Sequence, residues 1–352
     1  MNSPLQAEKV SSPDAGLAPV DVMGAVGPEW TTGDYLSTIG VRLNFRRMSY
    51  LVTPGLYVFG SPGPDSPVFV SANYKLSFDH LRRSLAGINA WILVLDTWGI
   101  NVWCAAGKGT FGTDELVRKI RECRLHDRVT HRRLILPQLG ATGVAAHEIK
   151  KQTGFAVVYG PVYTKDIAAF LRAGLKATPD MRRIHFRWRE RLVLAPLELV
   201  IGFRKMLWLG LALAALAGVS AQGFSISTVW SQGGRTFVLW FLSYAFAGVL
   251  GPLLLPWLPA RAFSIKGACL GVALAAFGLW AASPDWSVLR ATAWILLVSA
   301  GASHLMLSFT GATTFTSPSG VLREIRLALP AQIIVGAIGL AVWTAAGFLP
   351  AW

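Results

Sequence analysis

The residues with the clearest capacity for chemistry lie together in Asn101-Val102-Trp103-Cys104-Ala105-Ala106-Gly107-Lys108, continuing into Gly109-Thr110-Phe111-Gly112-Thr113. Asn101 has a helix N-cap side chain, which places Cys104 in the first helical turn, its sulfur among backbone N–H groups that lack intrahelical partners. That placement, with Lys108 one turn on, favours thiolate over thiol, and a thiolate is a metal ligand or a nucleophile. Ala105, Ala106, Gly107 and Gly109 are small enough for a large flat ligand to lie against the backbone. The plainer alternative is a buried structural cysteine in a strand-to-helix turn. Gly107-Lys108-Gly109-Thr110 has a faint likeness to a phosphate loop. The Walker spacing requires Gly where Val102 stands and Ser or Thr where Gly109 stands, so that chemistry is excluded.

The elements around this stretch must form its support. Ala90 to Leu95 reads as a buried strand before it, and 114–125 carries apolar residues at helical spacing after it. The stretch therefore lies at the C-terminal mouth of a strand, where open α/β sheets bind ligands. Strands and helices alternate from 44 onward: an extended segment at 50–59, a strand at 67–72 with a helix to 85, a strand at 134–136 with a helix at 144–152, and a strand at 155–159 with a helix at 165–171. Such alternation predicts a mostly parallel sheet with right-handed crossovers. The loops at 73–77, 101–108, 138–143 and 159–162 would rim one pocket, with Asn73, Gly140 and Gly160 among its polar or glycine positions.

The unbroken string Asn101 to Lys108 resembles the cap-helix signature of the HgcA family, the membrane-anchored corrinoid proteins of microbial mercury methylation. Less closely it resembles the corrinoid domain of the corrinoid iron-sulfur protein of the acetyl-CoA pathway, to which Asn73-Tyr74-Lys75-Leu76-Ser77-Phe78-Asp79 and Pro137-Gln138-Leu139-Gly140 are also similar. The resemblance spans about 44–174 and, in architecture, the apolar half. It implies an α/β Rossmann-like corrinoid-binding domain followed by an all-α five-helix transmembrane domain. It further implies that Cys104 is both the catalytic residue and the metal ligand, bound to cobalt from below. Asn73, Asn101, Val102, Trp103, Cys104, Ala105, Ala106, Gly107, Lys108, Gly140 and Gly160 would surround the corrinoid.

The implied activity is a methyltransferase that passes a methyl group from cobalt(III) to Hg(II), forming methylmercury. A methyltetrahydrofolate-linked donor would supply the methyl group, and a ferredoxin-like iron-sulfur protein the electrons. A donating thiolate favours cobalt(III) and would let go on reduction to cobalt(I). Trp103 would pack beside the macrocycle or in the core, and Lys108 would support the thiolate or face water. Two other readings remain open: a membrane-tethered methyl carrier of acetyl-CoA-pathway type, and a corrinoid-binding sensor.

Composition sets the frame. Of 352 residues 53% are hydrophobic, with 14 tryptophans, and the excess lies after Leu207. The net charge of +14 does not form a basic helix face interleaved with aromatics, so a nucleic-acid partner is excluded. Arg182, Arg183, Arg187, Arg189, Arg191, Arg204 and Lys205 cluster instead before the first apolar run, where anionic lipid and topology explain them. The three cysteines include no Cys-x-x-Cys pair, which leaves no cluster-binding set and fits a reducing compartment; Cys123 and Cys269 read as structural. The histidines match no zinc spacing.

The expected organisation is a flexible leader at 1–43, whose first 26 residues lack apolar periodicity and a secretory pattern, and a cytoplasmic corrinoid-binding domain at 44–178. A basic linker with an interfacial helix follows at 179–205, where 192–203 contains Pro196 and Glu198, and the transmembrane domain occupies 206–352. Its five apolar runs are 206–221, 236–258, 265–282, 291–307 and 327–349. Arg261, Lys266, Arg323 and Arg326 fall in alternate loops, against Arg235 and the pair Asp285 and Arg290 in the others. That asymmetry predicts a multi-pass protein of the cytoplasmic membrane, its head inside and its C-terminus outside. Ionisable residues are nearly absent within the spans, His304 being the exception, and the runs hold no carboxylate, which argues against proton-pump chemistry.

Overall fold

The computed structural model describes residues 22–282, 286–313 and 316–349. Two compact units divide the chain: 45–184 with the residues before 42, and 185–352 with 42–44.

The first unit is built on β1 (Val22–Val26), β2 (Gly55–Phe59), β3 (Val68–Ala72), β4 (Ala90–Leu95), β5 (Arg133–Leu136) and β6 (Ala156–Tyr159), in the spatial order β1-β2-β4-β3-β5-β6. The strands β4, β3, β5 and β6 run parallel, β2 runs antiparallel to β4, and β1 is parallel to β2. Pairing of Ala72 with Leu95 brings the C-terminal ends of β3 and β4 level. Both faces of the sheet are covered, which is why its central strands are apolar apart from Ser71. Val68, Val70, Leu93, Leu95, Leu134 and Leu136 enter one core, while Phe69, Ile92, Val94 and Ile135 enter the other.

The helices of this unit are α1 (Thr32–Arg42), α2 (Lys75–Ser84), α3 (Val102–Lys108), α4 (Thr113–Glu122), α5 (Ala146–Thr153) and α6 (Ile167–Arg172). Leu116, Val117 and Ile120 of α4 and Ile149 of α5 pack on the first core; Phe78 and Leu81 of α2 and Phe170 of α6 pack on the second.

The leader expected at 1–43 is corrected by this arrangement. Residues 22–43 include β1 and α1, while 1–21 lie outside the described residues. Val22-Met23-Gly24-Ala25-Val26 is too short and too poor in alternation to announce a strand; its pairing with β2, distant in sequence, makes it one.

Among its described residues the second unit contains five helices long and apolar enough to cross a membrane: Trp188–Leu216, Ile226–Leu254, Phe263–Ala282, Val288–Phe309 and Ser319–Ala345. In order, α7 (Trp188–Leu216) is followed by a short α8 (Ile226–Thr228) that runs through a π-turn into α9 (Gly234–Leu254), then α10 (Phe263–Ala282), α11 (Val288–Phe309) and α12 (Pro318–Ala345). The separate interfacial helix expected at 192–203 is also corrected, because α7 runs unbroken through Pro196. One turn beyond that proline the Tyr244 hydroxyl donates to the Leu199 carbonyl at 2.5 Å, and Gly202 leaves room for the approaching phenol. The carbonyl that loses its helical partner to the proline is that of Leu192, one turn earlier, so the Tyr244 contact holds α7 against α9 just beyond the proline and does not replace the lost bond.

Small residues bring α10 and α11 together: Gly267 and Gly271, four apart, face the backbone of Ala302, Ser303 and Ser299. Lys266 folds back so that its ammonium donates to the Leu255 and Leu258 carbonyls, closing the end of α9. His304 meets Gln332 of α12 at 3.3 Å, and Gln332 donates to Ser303 at 2.9 Å. Asp285, used in the orientation argument, lies outside the described residues.

Candidate functional site

The loop between β4 and α3 is organised by a residue from the neighbouring strand. Asn73, directly after β3, is 2% exposed, and its Oδ1 accepts from the Thr97 backbone N–H at 3.1 Å, the Thr97 hydroxyl at 2.9 Å and the Gly99 backbone N–H at 3.0 Å. Its amide nitrogen donates to Asp96 Oδ1 at 3.1 Å. Asp96 Oδ1 also accepts from the backbone of Trp98, and the Asp96 N–H donates to Glu115 of α4. Trp98 (φ 57°) and Gly99 (φ 70°) are consecutive left-handed residues, so the loop reverses sharply. Without the Asn73 side chain those buried N–H groups would lose their acceptor.

The reversal delivers Asn101 to the start of α3. Its Oδ1 accepts from the Cys104 N–H at 3.0 Å, so the cap expected from sequence is present. Only seven residues long, α3 ends at Gly109, whose φ of 82° makes the left-handed turn that stops it. Val102, Ala105 and Ala106 are its buried face and belong to the first core with Phe111. The other face holds Trp103 and Cys104, half-buried, and Gly107 and Lys108, exposed.

The short helix lies across the C-terminal edge of the sheet, against β3 and the turn that follows β5. Glycines make that approach possible. A side-chain carbon on Gly143 would sit 2.2 Å from the Phe111 carbonyl oxygen and 2.9 Å from Ala106 Cα, and one on Gly140 would meet the Phe111 ring at 2.5 Å. One on Gly107 would meet nothing within 4 Å.

The expected site residues therefore separate. Asn101 through Lys108 form one continuous helix start, with a half-buried thiol on the face that bears Gly107. Asn73 is committed to the loop behind them. Gly140 packs beneath α3, and Gly160, at the end of β6, faces Ile135 and the Leu136 carbonyl. An open strip beside an accessible cysteine sulfur, framed by small residues, suits a large planar group held by one soft ligand. The residues present fit a corrinoid in this respect, Cys104 being the residue whose sulfur could hold its metal. Cys123 is buried in the core and Cys269 is exposed on α10. No cluster of three or more His, Cys, Asp or Glu side chains that could hold a metal occurs among the described residues.

A buried charge cluster that the sequence did not announce props the same edge. Lys75, at the start of α2, donates to Asp34 Oδ1 at 2.6 Å and Asp79 Oδ2 at 2.5 Å. Arg82 reaches Asp34 Oδ2 and Asp79 Oδ1, each at 2.8 Å, and also donates to the carbonyls of Gly27 and Glu29. Burial alone would raise the Asp34 carboxyl; its hydrogen bonds to Lys75 and to the Thr31 backbone overcome this and hold it at about 2. Lys75 is pushed above its ordinary value, the two carboxylates overriding the opposing effect of burial. The helical i, i+4 and i, i+3 spacings of Lys75, Asp79 and Arg82 were legible, but their partner Asp34 comes from α1.

Comparison with known proteins points to the same unit. Residues 46–171 match the family described as CO dehydrogenase/acetyl-CoA synthase delta subunit (CdhD). The acetyl-CoA decarbonylase/synthase complex subunit gamma of Archaeoglobus fulgidus is 34% identical over 141 residues, 39% of this chain and 30% of the relative. The corresponding subunit of Methanopyrus kandleri is 33% identical over 122 residues, 34% and 26% of the two chains. The corrinoid/iron-sulfur protein large subunit of Moorella thermoacetica is 30% identical over 118 residues, 33% and 26%. The α/β unit is thus related to these subunits, while the chain spans less than a third of the length of each.

Proposed function

We propose that the α/β unit binds a corrinoid and that the chain is a membrane-tethered methyltransferase delivering a methyl group to Hg(II), with methylmercury as product. The observation that carries the reading is α3: an Asn101-capped helix start presenting the half-buried Cys104 thiol beside the open strip at Gly107, across the C-terminal edge of a parallel sheet. The relationship to a corrinoid/iron-sulfur protein supports the cofactor class. When bound, the corrinoid supplies a cobalt centre able to accept and release a methyl group.

The chain's own residues do the rest. Cys104 sulfur would hold the corrinoid's cobalt, and the Asn101 cap fixes the turn on which it stands. Val102, Ala105 and Ala106 anchor that turn in the core, and Asn73 sets the loop that aims it. The surface of Trp103, Gly107 and Lys108 would lie against the planar group. With no Cys-x-x-Cys pair to hold a cluster, electrons would come from a separate ferredoxin-like iron-sulfur protein, and the family resemblance implies a methyltetrahydrofolate-linked protein as methyl donor. The five membrane-length helices hold the head at a membrane, on the cytoplasmic side by the loop arginines, with the C-terminus outside.

A second reading is supported by the relatives themselves, whose names place them in acetyl-CoA decarbonylase/synthase complexes. In it the same site serves a methyl carrier and the acceptor is another protein. Membranes containing the full chain, supplied with corrinoid, reductant, methyl donor and isotopically labelled Hg(II), separate the readings. Product from wild type and none from Cys104→Ala supports methylation through Cys104. Product from neither, with corrinoid bound by both, favours the carrier. Equal product from both removes Cys104 from the mechanism.

A further inference from the structure

The first helix of the α/β unit is amphipathic in the inverted sense. Its inward residues are Asp34, Thr38 and Val41, two of them polar, and Asp34 is held by Lys75 and Arg82. Its outward residues include Leu36, 64% exposed, and Ile39, 55% exposed. The segment after the helix extends the same apolar surface. The Phe45 N–H donates to the Gly40 carbonyl at 2.7 Å, which folds Phe45 back beside α1, and the ring remains 65% exposed. Met48 follows at 73%. Ser37 on α1 is hydrogen-bonded to Tyr50 at 2.9 Å, so the helix and this segment form one surface.

A water-facing helix ordinarily turns its apolar stripe inward and its charges outward. Here the ion cluster fills the inward position, leaving large apolar side chains without cover among the described residues. The charge carried by this segment has one sign: Arg46 and Arg47 lie within the patch, the Arg46 guanidinium stands 5.4 Å over the Phe45 ring, and 35–51 contains no Asp or Glu. Apolar side chains flanked by arginines and free of carboxylates match an anionic lipid surface, where the rings and aliphatic chains enter the acyl boundary and guanidinium groups meet phosphates. Such a surface is at hand in a chain with five membrane-length helices.

We infer that the outer face of α1 with Phe45 and Met48 is a membrane-contact surface of the α/β unit, its partner being anionic phospholipid. The head is then held by a peripheral contact of its own in addition to the spanning helices. This is independent of the reaction at Cys104, since none of these residues belongs to that site.

The test places a bimane fluorophore at Leu36→Cys or Ile39→Cys in the full-length chain, with Cys104→Ala and Cys269→Ala removing the accessible thiols. Asp114→Cys, exposed on α4, is the control. The protein is placed in nanodiscs of phosphatidylcholine with or without phosphatidylglycerol, one chain per disc. We expect shallow nitroxide lipids to quench positions 36 and 39 about threefold more than 114, and Arg46→Glu with Arg47→Glu to lower that quenching about twofold in the anionic discs. Equal quenching of all three positions by aqueous iodide, with none from lipid, overturns the inference. So does protection from iodide in detergent that grows with protein concentration, which assigns the face to a second copy.

Discussion

Asn73 Oδ1 accepts a hydrogen bond from the Gly99 N–H at 3.0 Å, joining the end of β3 to the loop that launches α3. The residue that shapes the entry to the Cys104 helix is therefore twenty-eight positions before Asn101 in the chain. Replacing it by Ala would strand two buried N–H groups and one hydroxyl, a loss of about 2–3 kcal/mol. Hydrogen exchange should rise across 97–106 in Asn73→Ala. Asn73→Asp should restore the acceptors while placing its own carboxylate against Asp96, so its recovery should be greater in mild acid than at neutral pH.

Two glycines near α3 should behave oppositely. Gly143→Ala drives a carbon into the backbone of Phe111 and Ala106 and should cost about 2 kcal/mol or more, read in thermal unfolding of the solubilised chain. Gly107→Ala enters open space and removes a flexible residue from a helix, which should stabilise by roughly 0.5–1 kcal/mol. If the strip beside Gly107 is where the planar group lies, Gly107→Trp should fold normally yet retain less corrinoid; full occupancy would show that the group lies elsewhere.

Thiol accessibility should distinguish Cys104 from Cys123. Cys104 is half-buried, whereas Cys123 is buried and burial pushes its thiol above the ordinary value. Iodoacetamide at neutral pH should modify Cys104 and spare Cys123 in the intact fold, as read by peptide mass spectrometry. Added corrinoid should protect Cys104; unchanged modification would count against sulfur ligation.

Acid should weaken the edge held by Asp34. Its folded value, about 2, lies below the unfolded value near 3.8, so its contribution is present above about pH 4 and lost as pH falls through about 2. For a well-buried carboxylate this amounts to about 2 kcal/mol. The wild type should therefore lose stability over that window, and Asp34→Asn, already less stable at neutral pH, should show a shallower slope. Lys75 acts at the other extreme: its raised value means stability present below about pH 10.5 and lost as pH rises beyond it.

Much of the site was legible because its signals are local. The Asn101 cap and the strand Ala90–Leu95 needed only neighbouring residues, and both stand where sequence placed them. The roles of Asn73 and Gly143 were not legible, since each acts on backbone far away in the chain. The β2–β4 pairing was hidden for the same reason: strand pattern records burial, while direction depends on the connection between them. Pro196 misled because a helix tolerates one lost backbone bond when its flanks are held, and α7 is held against α9 by contacts such as Tyr244 to Leu199, which no window of sequence contains.

The brevity of α3 has its own implication. Seven residues make about two turns, too few to persist as a helix in water, so its shape is maintained by Val102, Ala105 and Ala106 in the core and by the anchored loop before it. Its opening should then be a local event with a free energy below that of unfolding the sheet. A sulfur mounted on such an element can retreat by a partial unravelling that leaves every strand in register, giving the chain a short-range, reversible adjustment of donor position on a rigid floor.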